Sequence, residues 1–158
     1  MKNFFYKYFV IAIVFVAVFS FINWFYHPLP SYEGEKIIDG INKEVSVFTD
    51  SFGVPHVFAK NEKDLFFTAG YLAASERLFQ LSMVAFVVKG EMALNLGDEY
   101  LDTDIFIRTW RIHDTAKKMV SKMKPENKKI FNHFCEGINY RINEVYNDLP
   151  VEFKILRI

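Results

Sequence analysis

Asp50-Ser51-Phe52-Gly53-Val54-Pro55-His56-Val57-Phe58-Ala59 is the stretch around which the rest of the chain can be arranged. Asp50 to Gly53 carries turn chemistry, and apolar or β-branched residues flank it from Val45 to Thr49 and from Val54 to Ala59, so a β-hairpin is predicted. Gly53 supplies backbone freedom at the turn. Pro55 cannot donate a ladder hydrogen bond, so its strand is expected at an edge or to begin there. His56, following a proline in a strand, reads as a hydrogen-bonded side chain near the turn rather than a general base. Ile37-Ile38 is apolar and β-branched enough to predict a further strand.

After the hairpin the periodicity changes to that of helices. Asn61 is a plausible N-cap, with Glu62 and Asp64 in the first turn, where the helix dipole favours negative charge. Leu65, Ala69, Leu72, Ala73, Phe79, Met83, Phe86 and Val87 recur mostly at three- and four-residue steps, which gives one broad core face up to Val88, and Gly90 is a reasonable stop. Asp98 to Asp104 is expected to be a polar connection. A third helix should start near His113 or Asp114 and end before Pro125. A fourth, with Pro125 in its first turn, carries an apolar stripe of Ile130, Phe131, Phe134, Ile138, Ile142 and Val145 and closes at Leu149-Pro150.

Upstream, Phe4 to Phe25 is interrupted only by Lys7, Ser20 and Asn23. A helix of that length spans ~33 Å against a hydrocarbon core of ~30 Å, so it can cross a membrane. Lys2 and Lys7 lie on its N-terminal side and no lysine or arginine follows until Lys36, which places Met1 in the cytoplasm and the main part outside, periplasmic or extracellular. A cleaved secretory signal starts in the same way and would leave the remainder secreted. Bulky aromatics around Ala17-Val18-Phe19-Ser20-Phe21 favour an uncleaved anchor. Residues 1–26 are therefore anchor or signal, 27–31 a proline-rich linker, and 32–158 a single domain. With 19 acidic and 19 basic residues, the chain has no net field to draw nucleic acid, and no nucleic-acid partner is expected. A single cysteine, Cys135, excludes an internal disulfide or a multi-cysteine zinc site, and reads as a buried thiol.

Two nucleophile sets can be written from residue types, Ser75 with His56 and Asp50, and Cys135 with His133 and Glu136; neither has a supporting elbow. Asp102 and Asp104 could meet a metal, but two carboxylates in a loop are more often solvated or paired with Arg108 or Arg111. Arg77 and Arg108 suit architecture, since a guanidinium fork can join carbonyls or a carboxylate; Asp50, Asp64 and Asp104 are candidate partners.

The order Asp50, Gly53 to His56, Asp64-Leu65, Gly70-Tyr71 and Arg77 to Leu81 resembles the opening of the α chain of penicillin acylases, N-terminal-nucleophile amide hydrolases. The likeness runs on through Gly90 to Gly97, Asp104, Arg108, the Gly137-Ile138-Asn139 helix and Leu149-Pro150-Val151-Glu152-Phe153. Departures are Ala74-Ser75-Glu76 before Arg77, and Phe86-Val87-Val88-Lys89 where a basic pair often stands. The fold implied is α+β: a membrane helix, a short strand hairpin, then a mainly helical α-chain segment of an αββα hydrolase, incomplete as given. The motif positions Asp50, Gly53, Pro55, His56, Asp64, Gly70, Arg77, Asp104, Arg108, Gly137 and Asn139 are structural in this resemblance, and no catalytic residue, cofactor or metal is assigned to the chain. The resemblance implies a precursor whose β segment bears the N-terminal serine, a small acylated amide as substrate (a β-lactam or an acyl-homoserine lactone), and calcium and acyl-pocket positions beyond the last matched residue. On its own the chain is expected to be inactive. The alternative is a non-catalytic remnant or anchored interaction module.

Overall fold

The computed structural model describes residues 2–26 and 30–158, with side chains given from Tyr6 to Phe25 and from Pro30 onward; residues 27–29 of the expected linker lie outside the described residues. Helix α1 (Lys2–Tyr26) is followed by strands β1 (Ser46–Thr49) and β2 (Pro55–Phe58), then α2 (Glu62–Lys89), α3 (Met92–Leu96), a 3-10 turn (Asp98–Tyr100), α4 (Leu101–Thr109), α5 (Ile112–Ser121), α6 (Pro125–Val145) and α7 (Val151–Leu156). The chain is thus mostly helical with one short antiparallel strand pair. By length and composition α1 can cross a membrane, and its side chains from Tyr6 to Phe25 are exposed.

The hairpin pairs Ser46 with Phe58, Val47 with Val57, Phe48 with His56 and Thr49 with Pro55. Ile37-Ile38 forms no strand: Ile37 stands 96% exposed in an extended segment with no strand beside it. Without a partner, β-branched residues cannot make a ladder.

Asn61 caps α2 as its side chain accepts from the Asp64 N–H at 2.8 Å. The helix breaks at Arg77, whose φ and ψ are −140° and 31°. No proline or glycine stands there, but Ser75 donates to the Tyr71 carbonyl and Ser82 to that of Leu78, and such back-bonding loosens a helix ladder. Gly90, at φ 66°, ends α2 in the left-handed conformation, its N–H reaching the carbonyls of Phe86 and Val87. The expected polar connection over Asp98 to Asp104 is instead the 3-10 turn and the start of α4. Its acidic residues suit a helical first turn, which explains both the polarity and the error.

Helices α2 and α6 cross backbone against backbone. A Cβ added at Gly70 would lie 2.0 Å from the Phe134 carbonyl oxygen, and one at Gly137 would lie 2.0 Å from that of Phe67. Beside the crossing Phe67 meets Tyr140 edge-on, with ring centres 5.8 Å apart. Ala74, Leu78, Val145 and Phe153 form the buried core, lined by Phe79, Leu81, Ile138, Ile142, Leu149 and Ile158. Phe153 comes from α7, a helix beyond Pro150 that periodicity up to Leu149 does not announce, and meets Phe79 at 5.5 Å.

Candidate functional site

The hairpin turn is built on one carboxylate. Asp50 Oδ1 accepts from the N–H groups of Phe52 and Val54 at 2.9 and 3.0 Å, and Oδ2 lies 3.1 Å from His56 Nε2. The Val54 N–H and then the His56 side chain hold this carboxyl below the usual carboxylate range. Gly53, at φ 79°, closes the turn by donating to the Asp50 carbonyl, and Pro55 opens β2 opposite Thr49. His56 therefore serves the turn, half-exposed beside Phe48.

Asp64, fully buried, has the deepest carboxylate. Its Oδ1 accepts from the Asn42 N–H at 2.9 Å, and its Oδ2 from the Lys43 N–H at 3.0 Å and from Asn61 Nδ2 at 2.6 Å. Burial opposes the charge, but these hydrogen bonds outweigh it and the carboxyl is held below its ordinary value. The result fastens the incoming loop to the first turn of α2. Asp104 repeats the device: 6% exposed, it accepts from the N–H groups of Met92 and Ala93 at 2.9 and 2.8 Å and so fastens α4 to the start of α3. Asp104 thus serves the α3 backbone, while Asp102 stands exposed in the same first turn of α4.

Arg108 donates from Nε to the Gly90 carbonyl at 2.9 Å, and its Cγ fills the space a Cβ on Gly90 would need, 2.8 Å away. It joins a carbonyl rather than a carboxylate. Arg77 differs from expectation: it is exposed at the break in α2 and donates to Gln80 Oε1 at 3.0 Å, while Asp50, Asp64 and Asp104 hold backbone N–H groups. Gly70 and Gly137 form the helix crossing, and Asn139 lies exposed on α6.

A polar knot that residue types had not suggested lies beside Gly70-Tyr71. Lys36 pairs with Glu144 and donates to the Tyr71 hydroxyl at 2.7 Å; that hydroxyl donates to Glu144 at 3.0 Å, and Arg141 reaches the same carboxylate. Burial would lower the Lys36 ammonium, but Glu144 and Tyr71 raise it; burial would raise Glu144, but Lys36, Arg141 and Tyr71 lower it. The partners are 35 and 73 residues apart in sequence, so no local spacing could reveal them.

Neither nucleophile set is assembled. The Ser75 hydroxyl is bonded to its own helix at the Tyr71 carbonyl, and Asp50 and His56 are engaged in the turn. His133 Nδ1 lies 3.0 Å from Glu136 Oε2, but burial and then the Glu136 charge push the Cys135 thiol up, the wrong direction for a nucleophile. A groove between the hairpin and α2, lined by Glu44, Ser46, Val57, Phe58, Lys60 and Leu65, contains no histidine. Among the described residues no three His, Cys, Asp or Glu side chains gather to hold a metal. Of the motif residues, Asp50, Gly53, Asp64, Asp104 and Arg108 lock turns and helix ends, and Gly70 and Gly137 the helix crossing.

Residues 44–158 match the penicillin amidase family. Penicillin G acylase of Escherichia coli is 29% identical over 116 residues, which cover 71% of this chain and 14% of that protein. An acyl-homoserine lactone acylase of Pseudomonas fluorescens is 26% identical over 122 residues, covering 77% of this chain and 15% of that one. Among solved structures, a thermostable penicillin G acylase from Alcaligenes faecalis superimposes with a TM-score of 0.64 at 30% identity, covering 73% of this chain and 63% of that chain. The chain spans about a seventh of the length of the curated relatives it matches. With its family match extending over most of its length, the chain belongs to the penicillin amidase family.

Proposed function

We propose that this chain is the opening α-chain portion of a membrane-anchored acylase-type amidohydrolase, acting with a β segment of the same precursor. The β segment supplies an N-terminal serine whose hydroxyl attacks the amide carbonyl of a small acylated molecule, of β-lactam or acyl-homoserine lactone type. Its own α-amine, which titrates near ~7.7 to 8.0, takes the proton. Backbone and amide donors hold the oxyanion, whose collapse breaks the C–N bond and expels the amine with the proton held by the α-amine; water then releases the acid from the acyl-enzyme and restores the serine. The residues described above contribute no atom to that chemistry and hold the scaffold around it. Helix α1 tethers the assembly with its main part outside the cytoplasm. Calcium, where the assembly holds it, would take ligands beyond the last matched residue, as the family resemblance implies.

The observation that carries this reading is the pair of buried aspartates with the Gly70 and Gly137 crossing, motif positions in a fold shared with a penicillin G acylase. One relative, a Pseudomonas penicillin acylase 2 that is 28% identical over 128 residues, is named as a proenzyme, in keeping with a processed partner. The test is to purify the protein from its source membranes and sequence the N-termini present. A co-purifying chain beginning with serine, together with release of amine from phenylacetyl amides or N-acyl homoserine lactones, is the expected result. A chain that purifies alone and hydrolyses neither would overturn the proposal in favour of a non-catalytic module.

A further inference from the structure

The segment between α1 and the hairpin runs along α2 in the opposite direction and is fastened to it at successive places. Asn42 and Lys43 donate to Asp64, and Gly40 faces the Phe67 ring so closely that a Cβ would stand 3.1 Å from it. Further along α2 the Lys36 ammonium donates to the Tyr71 hydroxyl at 2.7 Å and lies 5.3 Å from the centre of that ring, and the Tyr32 hydroxyl donates to Glu76 at 3.1 Å. The two halves of this strap are held differently. Nearer the hairpin it ends on a carboxylate that is 0% exposed and a ring that is 4% exposed. Nearer α1 it is held by surface contacts of charge and hydroxyl, in which Lys36 takes both Tyr71 of α2 and Glu144 of α6 and so ties the strap to both helices at once. Gly34 and Gly40, at φ 113° and 109°, flank Lys36, and glycine turns through such conformations at no steric cost. Salt weakens surface charge pairs and reaches buried ones far less.

We propose that residues 34–40 are a salt-released latch: Lys36 clasps the strap to Tyr71 and Glu144 at low ionic strength, and high ionic strength frees it to swing on Gly40 while Asp64 keeps its hold. Opening moves the strap's attachment from Tyr71 back to Asp64, ~10 Å along α2. It also frees up to ~20 Å of chain between Lys36 and Asn42. On the anchor reading above, on which this consequence rests, the body then stands close to the membrane when latched and further from it when free. Spin labels at Ile37→Cys and Asn139→Cys, in a Cys135→Ser background of the 158-residue chain in detergent, read the distance from the strap to α6. One narrow distance is expected at low salt, and in Lys36→Met most of the population should move out by up to ~20 Å. Lys36→Arg, which keeps the charge, should stay latched. Potassium chloride at about 1 M, with a screening length of ~3 Å, should open the chain with Lys36 in place as Lys36→Met does. A second pair, Glu44→Cys with Asn139→Cys, lies past the Asp64 fastening and should stay narrow throughout. A 37–139 distance unmoved by Lys36→Met, or by salt, overturns the latch. Broadening of both pairs together overturns it as well, because the strap is then inseparable from the fold. If carbonate extracts the chain from membranes while the latch opens as described, the anchor reading fails and the latch stands.

Discussion

Two aspartates do similar work at different places in the chain, and each can be tested alone. Asp64→Asn offers one acceptor oxygen where two are used, so either the Asn42 or the Lys43 N–H is left facing an NH2 group. A buried donor without a partner costs about 1–3 kcal/mol, and urea melts in detergent should show a loss of that size at pH 7. The folded Asp64 carboxyl is held below its unfolded value of about 3.9, so its contribution is complete above that pH and is lost as pH falls through the folded value. The gap between wild type and Asp64→Asn should therefore stay constant from pH 7 to about 5 and narrow below about 4. A gap that widened in acid would contradict the assignment. Of these residue roles, the Asn61 cap and the Asp50 turn were legible in the sequence because their partners lie within a few residues. The roles of Asp64 and Asp104 were not: their partners are 21 or 22 and 11 or 12 residues away, across loops whose paths no spacing rule fixes. Arg77 was misjudged for a different reason: no proline or glycine marks the break in α2 that exposes it.

At the scale of elements, glycine decides two geometries. Ala at Gly70 or Gly137 places a methyl carbon 2.0 Å from a backbone oxygen of the facing helix, and side-chain rearrangement cannot relieve a clash with backbone. Each substitution should destabilise the chain by about 1–3 kcal/mol or more, read as a fall in the urea midpoint; an unchanged midpoint at either position would refute the crossing. Gly90→Ala should cost about 1–2 kcal/mol for its left-handed conformation alone, with the Arg108 stem displaced in addition. In Arg108→Ala the part of that cost due to the Arg108 stem should disappear, while the conformational part and the 3.1 Å approach to the Asp104 carbonyl oxygen remain, which a double-mutant cycle of melts separates. Helices α2, α5 and α6 were legible because apolar stripes and end signals agree over several turns. The predicted strand at Ile37-Ile38, the short helices α3 and α4 and the final α7 were not, because each depends on what it packs against more than on its own pattern. In α7 a single buried residue, Phe153, joins the core.

At the scale of the whole molecule, the notable quantity is apolar surface left uncovered. Phe52 is 90% exposed, Leu94 81%, Trp110 68% and Phe106 59%, and the last two rings stand 6.0 Å apart. Uncovered patches of this kind associate. The segment from Ser31 onward, made without α1, should therefore elute as aggregates and bind ANS strongly; a monodisperse monomer with a sharp cooperative melt would count against this. The glycine crossing bears on how such a molecule responds to stress. With backbone touching backbone, α2 and α6 turn about one fulcrum: on α6, Val145 and Tyr140 both lie beyond Gly137, so a rotation that loosens Val145 from the core it shares with Phe153 must also shift Tyr140 and the Phe67 ring it meets. Damage at α7 should then be audible far from it, as faster amide exchange in the loop that Asp64 holds.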